Sequence, residues 1–160
     1  MDPSSILQSI ITGNVRGLNP GVNYSKIEYL SDLADNNESY IISMTESHLS
    51  DSISDHEIAI DGWSSFRADR TDRTGGGVIT YCRENLIISD ENVFSDSMSE
   101  SLCLYISDLN IMMIMVYPPP NCSNLSFKNN SLSTDKWMDK ILKLHCDATI
   151  CVTGDFNMGF

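Results

Sequence analysis

Five polar side chains follow, one after another, the ends of short apolar runs. Asn14 comes after Ile10-Ile11, Glu46 after Ile41 to Thr45, and Tyr117 after Ile111 to Val116. Asp155 and Asn157 come after Thr149 to Thr153. Each run reads as a strand, and α/β sheets bind ligands beyond the carboxyl ends of their strands. If these ends share one edge of the fold, the five side chains face one cleft. Glu46 and Asp155 are hard oxygen ligands suited to Mg²⁺ rather than Zn²⁺. The amides of Asn14 and Asn157 offer donors to a phosphate oxygen and acceptors to a cation. The Tyr117 phenol donates without adding charge. A carboxylate beside a metal stays ionised and can orient or deprotonate a water. These are parts for metal-assisted hydrolysis of a phosphodiester, in which positioning and charge neutralisation dominate. Each residue alone has a plainer reading, as a turn Asn or Asp, a solvated Glu, or a Tyr closing a hairpin.

The elements that must hold these residues alternate. Strands are predicted over 9–15, 40–45, 63–68, 78–82, 101–107, 111–117 and 149–153. Helical spacing of Ile27, Leu30, Leu33 and Ala34 predicts a helix over 24–36. Trp137, Met138, Ile141, Leu142 and His145 predict another over 134–145, capped by Ser133 or Thr134. Asp108-Leu109-Asn110 reads as a hairpin turn. Residues 118–133, rich in Pro, Asn and Ser, read as one long loop, and residues 47–61 as another. The order predicts an α/β, more specifically α+β, domain rather than a continuous parallel sheet.

Six motifs stand in a familiar order. They are N-V-R-G-L at 14–18, T-E-S-H-L at 45–49, R-A-D-R-T-D-R-T-G-G-G-V at 67–78, S-E-S-L at 99–102, V-Y-P-P-P at 116–120 and G-D-F-N at 154–157. Together they resemble the endonuclease/exonuclease/phosphatase superfamily. The set is most similar to the apurinic-type endonuclease domain of non-LTR, LINE-like retrotransposons. The resemblance implies a layered sandwich of two mixed sheets flanked by helices. It implies Glu46 as the principal Mg²⁺ or Mn²⁺ ligand, with Asn14 beside the metal and phosphate. It implies Tyr117 at the scissile phosphate, Asp155 on the nucleophilic water or the leaving group, and Asn157 on a non-bridging oxygen. Arg67 to Arg73 would lie near the DNA-facing surface.

The family pattern continues with a second half that carries a late Ser-Asp-His. None of His48, His56 and His145 stands in that place. A complete domain of this kind runs to roughly 200–250 residues. Residues 1–160 are therefore read as a partial domain, incomplete at the C-terminal end, ancestrally DNA-nicking and weakly active or inactive as given. Uncovered sheet edges would then bind a dye such as 8-anilino-naphthalene sulfonate. Two alternatives stay open: a phosphoesterase of the same superfamily acting on RNA or a phosphoinositide, and a non-catalytic remnant. The implied partners are a DNA substrate and a downstream reverse-transcriptase region.

Composition agrees with a globular domain: 160 residues, 41% hydrophobic and 20% charged. The net charge of −12 disfavours non-specific DNA binding and favours a divalent cation. The longest apolar run, Ile111 to Val116, falls far short of the roughly 20 residues that span a bilayer, so no membrane is expected. No basic segment precedes an apolar stretch at the N-terminus, so the sequence reads as intracellular and not secreted. Nuclear localisation follows from the implied function. Five scattered cysteines without a C-x-x-C argue against a zinc site or a disulfide framework.

Overall fold

A computed structural model describes residues 10–71, 75–119 and 121–156, without the side chains of 22–25. Eight strands form two four-stranded sheets. The first sheet holds β1 (Ile10–Asn14), β2 (Ile41–Thr45), β4 (Val78–Arg83) and β3 (Trp63–Ala68), in that spatial order. The second holds β5 (Ile88–Ser95), β6 (Glu100–Ile106), β7 (Ile111–Tyr117) and β8 (Thr149–Gly154). Both are mixed: β1 runs parallel to β2 and β7 parallel to β8, while the other pairs are antiparallel. Helix α1 (Pro20–Asn36) covers the first sheet, and α2 (Asn124–Leu144) covers the second.

Period-two alternation makes three cores from two sheets. Ile41, Val78 and Cys82 meet Leu102, Leu104, Met113 and Met115 between the sheets. On the other face of the first sheet, Ile42, Met44, Ile79 and Tyr81 pack with Ile27, Leu30 and Ala34 of α1. Beyond the second sheet, Cys103, Tyr105, Met112 and Ile114 meet Trp137 and Ile141 of α2. The predicted sandwich of two mixed sheets flanked by helices is the observed one. β8 is a sheet edge among the described residues, with Ile150 46% and Val152 52% exposed.

Three elements depart from the expectations. Helix α1 starts earlier than residue 24, because Asn19 caps it by accepting from the Gly21 amide at 3.1 Å and Pro20 suits the first helical position. β5 is an unforeseen strand. Its sequence, ISDENVFS, is too polar to announce one, and pairing with β6 forms it. Helix α2 begins at Asn124, inside the expected loop, with Ser123 rather than Ser133 or Thr134 as its cap. Poor helix formers are held there by tertiary bonds: the Ser126 hydroxyl donates to Asp96, and Asn130 Nδ2 donates to Ser99 Oγ at 3.2 Å. The loop at 47–61 contains a short 3₁₀ turn, Asp55–Ile58.

Candidate active site

The carboxyl ends of β1, β2, β7 and β8 lie together. Parallel pairing aligns Asn14 with Thr45 on one sheet and Gly154 with Val116 on the other. Between the sheet ends opens a cleft of about 270 Å³ whose lining includes Asn14, Thr45, Met115 and Asp155. Glu46 and Tyr117 stand beside it and touch: the Tyr117 hydroxyl donates to Glu46 Oε1 at 2.9 Å. The Asn14 side chain also hydrogen-bonds the Glu46 carboxyl. Four of the five expected residues are thus brought to one edge, and Asn157 lies outside the described residues.

Backbone geometry aims these groups. Glu46 has φ +54°, as does His48, and Arg16 has φ +50°. Left-handed non-glycine residues cost free energy and cluster where structure serves a site. Here pairing beyond the strands stabilises them. The Gly17 amide donates to the Glu46 carbonyl at 2.7 Å, and the His48 amide donates to the Gly76 carbonyl at 2.9 Å. Gly154 has φ +144°, and a Cβ there would collide with the Val116 carbonyl. Only glycine lets β8 run against β7 and deliver Asp155 to the cleft.

Electrostatics keeps Glu46 ionised. Burial works to raise its pKa, but hydrogen bonds from Asn14 and Tyr117 and the charges of His48 and Arg16 prevail and lower it. Burial first, then the Glu46 carboxylate and Asp155, push the Tyr117 phenol up, so it remains a protonated donor at neutral pH. The donor set suits a hard divalent cation. Mg²⁺ takes one or two carboxylates and leaves its other positions to water and phosphate. Glu46 and Asn14 are the residues that could hold one. Among the described residues no group of three or more His, Cys, Asp or Glu gathers at one point.

Within the arginine segment, Arg67 and Arg70 both meet carboxylates. Arg70 does not face outward: its side chain is 5% exposed and pairs with Glu100, which is fully buried. Arg67 is held by Asp55 at 3.3 Å and Asp69 at 3.2 Å, and Arg73 lies outside the described residues. Three residues escaped sequence reasoning. Lys26 Nζ donates to the carbonyls of Val15, Arg16 and Gly17 at 2.8, 2.9 and 3.1 Å, clamping the loop after Asn14. Backbone acceptors leave no trace in sequence. His48 Nε2 lies 3.8 Å from Glu46 Oε2, and its place in T-E-S-H-L was the available signal. Glu100 stood in S-E-S-L without a role.

No family model matches the sequence, and no curated protein matches it. Solved structures do. The chain resembles the 3′-5′ exonuclease NExo from Neisseria meningitidis with a TM-score of 0.64 at 18% identity, over 93% of this chain and 57% of that one. The mannosyl-6-phosphatase from Bacteroides thetaiotaomicron gives 0.60 at 13% identity, over 94% and 66% of the two chains. The AP endonuclease LMAP from Leishmania major gives 0.56 at 16%, over 93% and 55%. The two-sheet sandwich is therefore the fold of an exonuclease, a phosphatase and an endonuclease. This chain spans little more than half the length of the two nucleases.

Proposed function

We propose that this chain is the metal-binding and phosphate-binding part of a DNA-nicking phosphodiesterase, dependent on Mg²⁺ or Mn²⁺ and belonging to a non-LTR retrotransposon. One observation carries the phosphodiesterase reading: the Asn14–Glu46–Tyr117 hydrogen-bonded set stands beside a cleft that Asp155 lines. The shared fold with nucleases supports it. The retrotransposon reading rests on the six ordered sequence motifs, as do a duplex DNA substrate, a reverse-transcriptase partner and nuclear action.

Hydrolysis joins a water oxygen to phosphorus and breaks the bond to the leaving 3′ oxygen, giving a 5′ phosphate and a 3′ hydroxyl. Bound Mg²⁺, held by Glu46 and Asn14, would supply charge neutralisation at the phosphate oxygens. Asp155 orients the water and accepts its proton. Tyr117, a neutral donor beside Glu46, hydrogen-bonds a phosphate oxygen, and Asn157 is assigned another. The leaving oxygen takes up a proton from solvent.

Supercoiled plasmid tests the reading. The chain is expected to convert it slowly to open circles with Mg²⁺ or Mn²⁺, while chelator or Asp155→Ala abolishes conversion. Equal conversion by the Asp155→Ala chain overturns the proposal. So does the absence of conversion together with no metal-dependent rise in melting temperature. Preferred hydrolysis of a phosphoinositide moves the substrate class.

A further inference from the structure

Arg70, in the segment expected near the DNA-facing surface, turns to a buried carboxylate. Arg70 and Glu100 form a two-pronged pair inside the protein: Arg70 Nε donates to Glu100 Oε1, and Nη2 to Oε2 at 2.9 Å. The Gly77 amide also donates to Glu100 Oε2, at 3.3 Å. Arg70 follows β3 on the first sheet, whereas Glu100 opens β6 on the second. The pair therefore joins the two sheets.

Its surroundings lead to the cleft by two routes. Glu100 is the register partner of Tyr117 across β6 and β7, and the Arg70 guanidinium carbon sits 5.7 Å from the Tyr117 ring centroid. That separation is within cation–π range. The second route runs through Gly76 and Gly77. Arg70 occupies the space where a Gly76 Cβ would stand, 2.5 Å from Nη2. The Gly76 carbonyl accepts from the His48 amide, and the Gly77 carbonyl accepts from the Ser47 amide at 3.3 Å. Residues 47 and 48 directly follow Glu46, whose backbone is left-handed. One ion pair thus stands behind both partners of the Tyr117–Glu46 bond.

Stability alone does not account for such a pair. Burying two charges costs several kcal/mol, and apolar replacements of similar volume are often neutral or stabilising. Burial raises the Glu100 carboxyl, and the Arg70 hydrogen bonds and charge oppose that rise. Planar two-pronged geometry fixes direction as well as distance, which a lysine cannot do.

We infer that the Arg70–Glu100 pair is a positioning device that sets the Tyr117 phenol against the Glu46 carboxylate at the phosphate site. The site's identity rests on the reading above; the positioning is measured without it. The chain is labelled with 3-fluorotyrosine, and Tyr117→Phe identifies the ¹⁹F line of Tyr117. In the Arg70→Met, Glu100→Leu double variant, circular dichroism and cooperative unfolding are expected to persist. The Tyr117 line moves and broadens while the other five tyrosine lines hold. Plasmid-nicking kcat falls, on the order of 10²-fold for a misplacement near 1 Å, with KM little changed. Arg70→Lys keeps the charge, loses the fork and shifts the line in the same direction; it decides the matter if the double variant does not fold. An unmoved Tyr117 line in a folded variant overturns the inference. A moved line with unchanged nicking upholds the positioning and removes Tyr117 from the phosphate chemistry.

Discussion

The Tyr117 hydroxyl meets Glu46 Oε1 at 2.9 Å across 71 positions of sequence, joining the end of β7 on one sheet to the residue after β2 on the other. The bond makes the cleft a property of both sheets together. It also couples a neutral donor to a carboxylate that hydrogen bonds and nearby charges hold below its ordinary range.

Removing that donor gives the first prediction. Tyr117→Phe is expected to raise the Glu46 pKa toward the ordinary 4.5. A depressed carboxylate stabilises the fold above its unfolded pKa and loses that contribution as pH falls through the folded value. The variant therefore loses stability at neutral pH, about 1 kcal/mol for a single hydrogen bond, and less of it at acid pH. Carboxyl ¹³C titration of Glu46 in both proteins checks the direction. Nicking should fall with it.

Metal binding gives the second. Glu46→Gln keeps an acceptor for Tyr117 and removes the charge, so without metal the fold should lose only the neutral-pH stability that the lowered carboxylate contributes. Ligand that binds only the native state stabilises it, by about 2.7 kcal/mol at one hundred times Kd. Mn²⁺ is expected to raise the melting temperature of the parent chain and not that of Glu46→Gln. An equal rise in both would remove Glu46 from the metal site.

Two glycines separate backbone strain from collision. Gly62 has φ +79° and open space where an alanine methyl would sit, whereas Gly76 has φ +77° and Arg70 in that space. Gly62→Ala should cost about 1–2 kcal/mol, the penalty of a left-handed alanine. Gly76→Ala should cost clearly more and disturb the Tyr117 environment. Urea unfolding of the two variants measures the difference.

What could be read in the sequence was local. β7 falls at the bounds expected of it, because an apolar run between turn residues is a short-range signal, and β3 does so with a sequence, WSSFRA, that is only partly apolar. Asn14, Glu46, Tyr117 and Asp155 were legible for the same reason, each a polar group ending such a run. β5 and the first half of α2 were not, because their polar residues fold through partners elsewhere, as Ser126 does with Asp96. The Arg70–Glu100 pair spans 30 positions, and nothing near either residue says which way it points. An arginine beside glycines looks alike whether it meets DNA or a buried glutamate.

Lys26 offers a fourth prediction. Its ammonium gathers three carbonyls of the loop after Asn14, whose Oδ1 accepts from the Arg16 amide at 3.1 Å. Lys26→Met retains most of the apolar stem and loses the donors. A cost of about 1–3 kcal/mol is expected, because the clamped carbonyls lose their shared partner. Hydrogen exchange should quicken at the Val15 and Gly17 amides, which pair with Thr45 and Glu46. Unchanged exchange there would show that strand pairing alone holds the loop.

Asp96 contributes to the acid limb of stability. Burial works to raise its pKa, but the Ser126 hydroxyl, the amides of Met98 and Ser99 and the charge of Arg70 together lower it below the ordinary 3.8. With the folded value below the unfolded one, the unfolded chain binds the extra proton in the interval between them, and stability rises with pH across it. The contribution is complete above the unfolded value and is lost as pH falls through the folded one. Asp96→Asn has no such proton to bind. Its urea midpoint should lie below that of the parent chain near neutral pH, and the two curves should converge on acidification. Ser126→Ala removes one of the bonds that lower the pKa, so its curve should fall between them and mark how much of the limb comes from docking α2 onto the turn before β6.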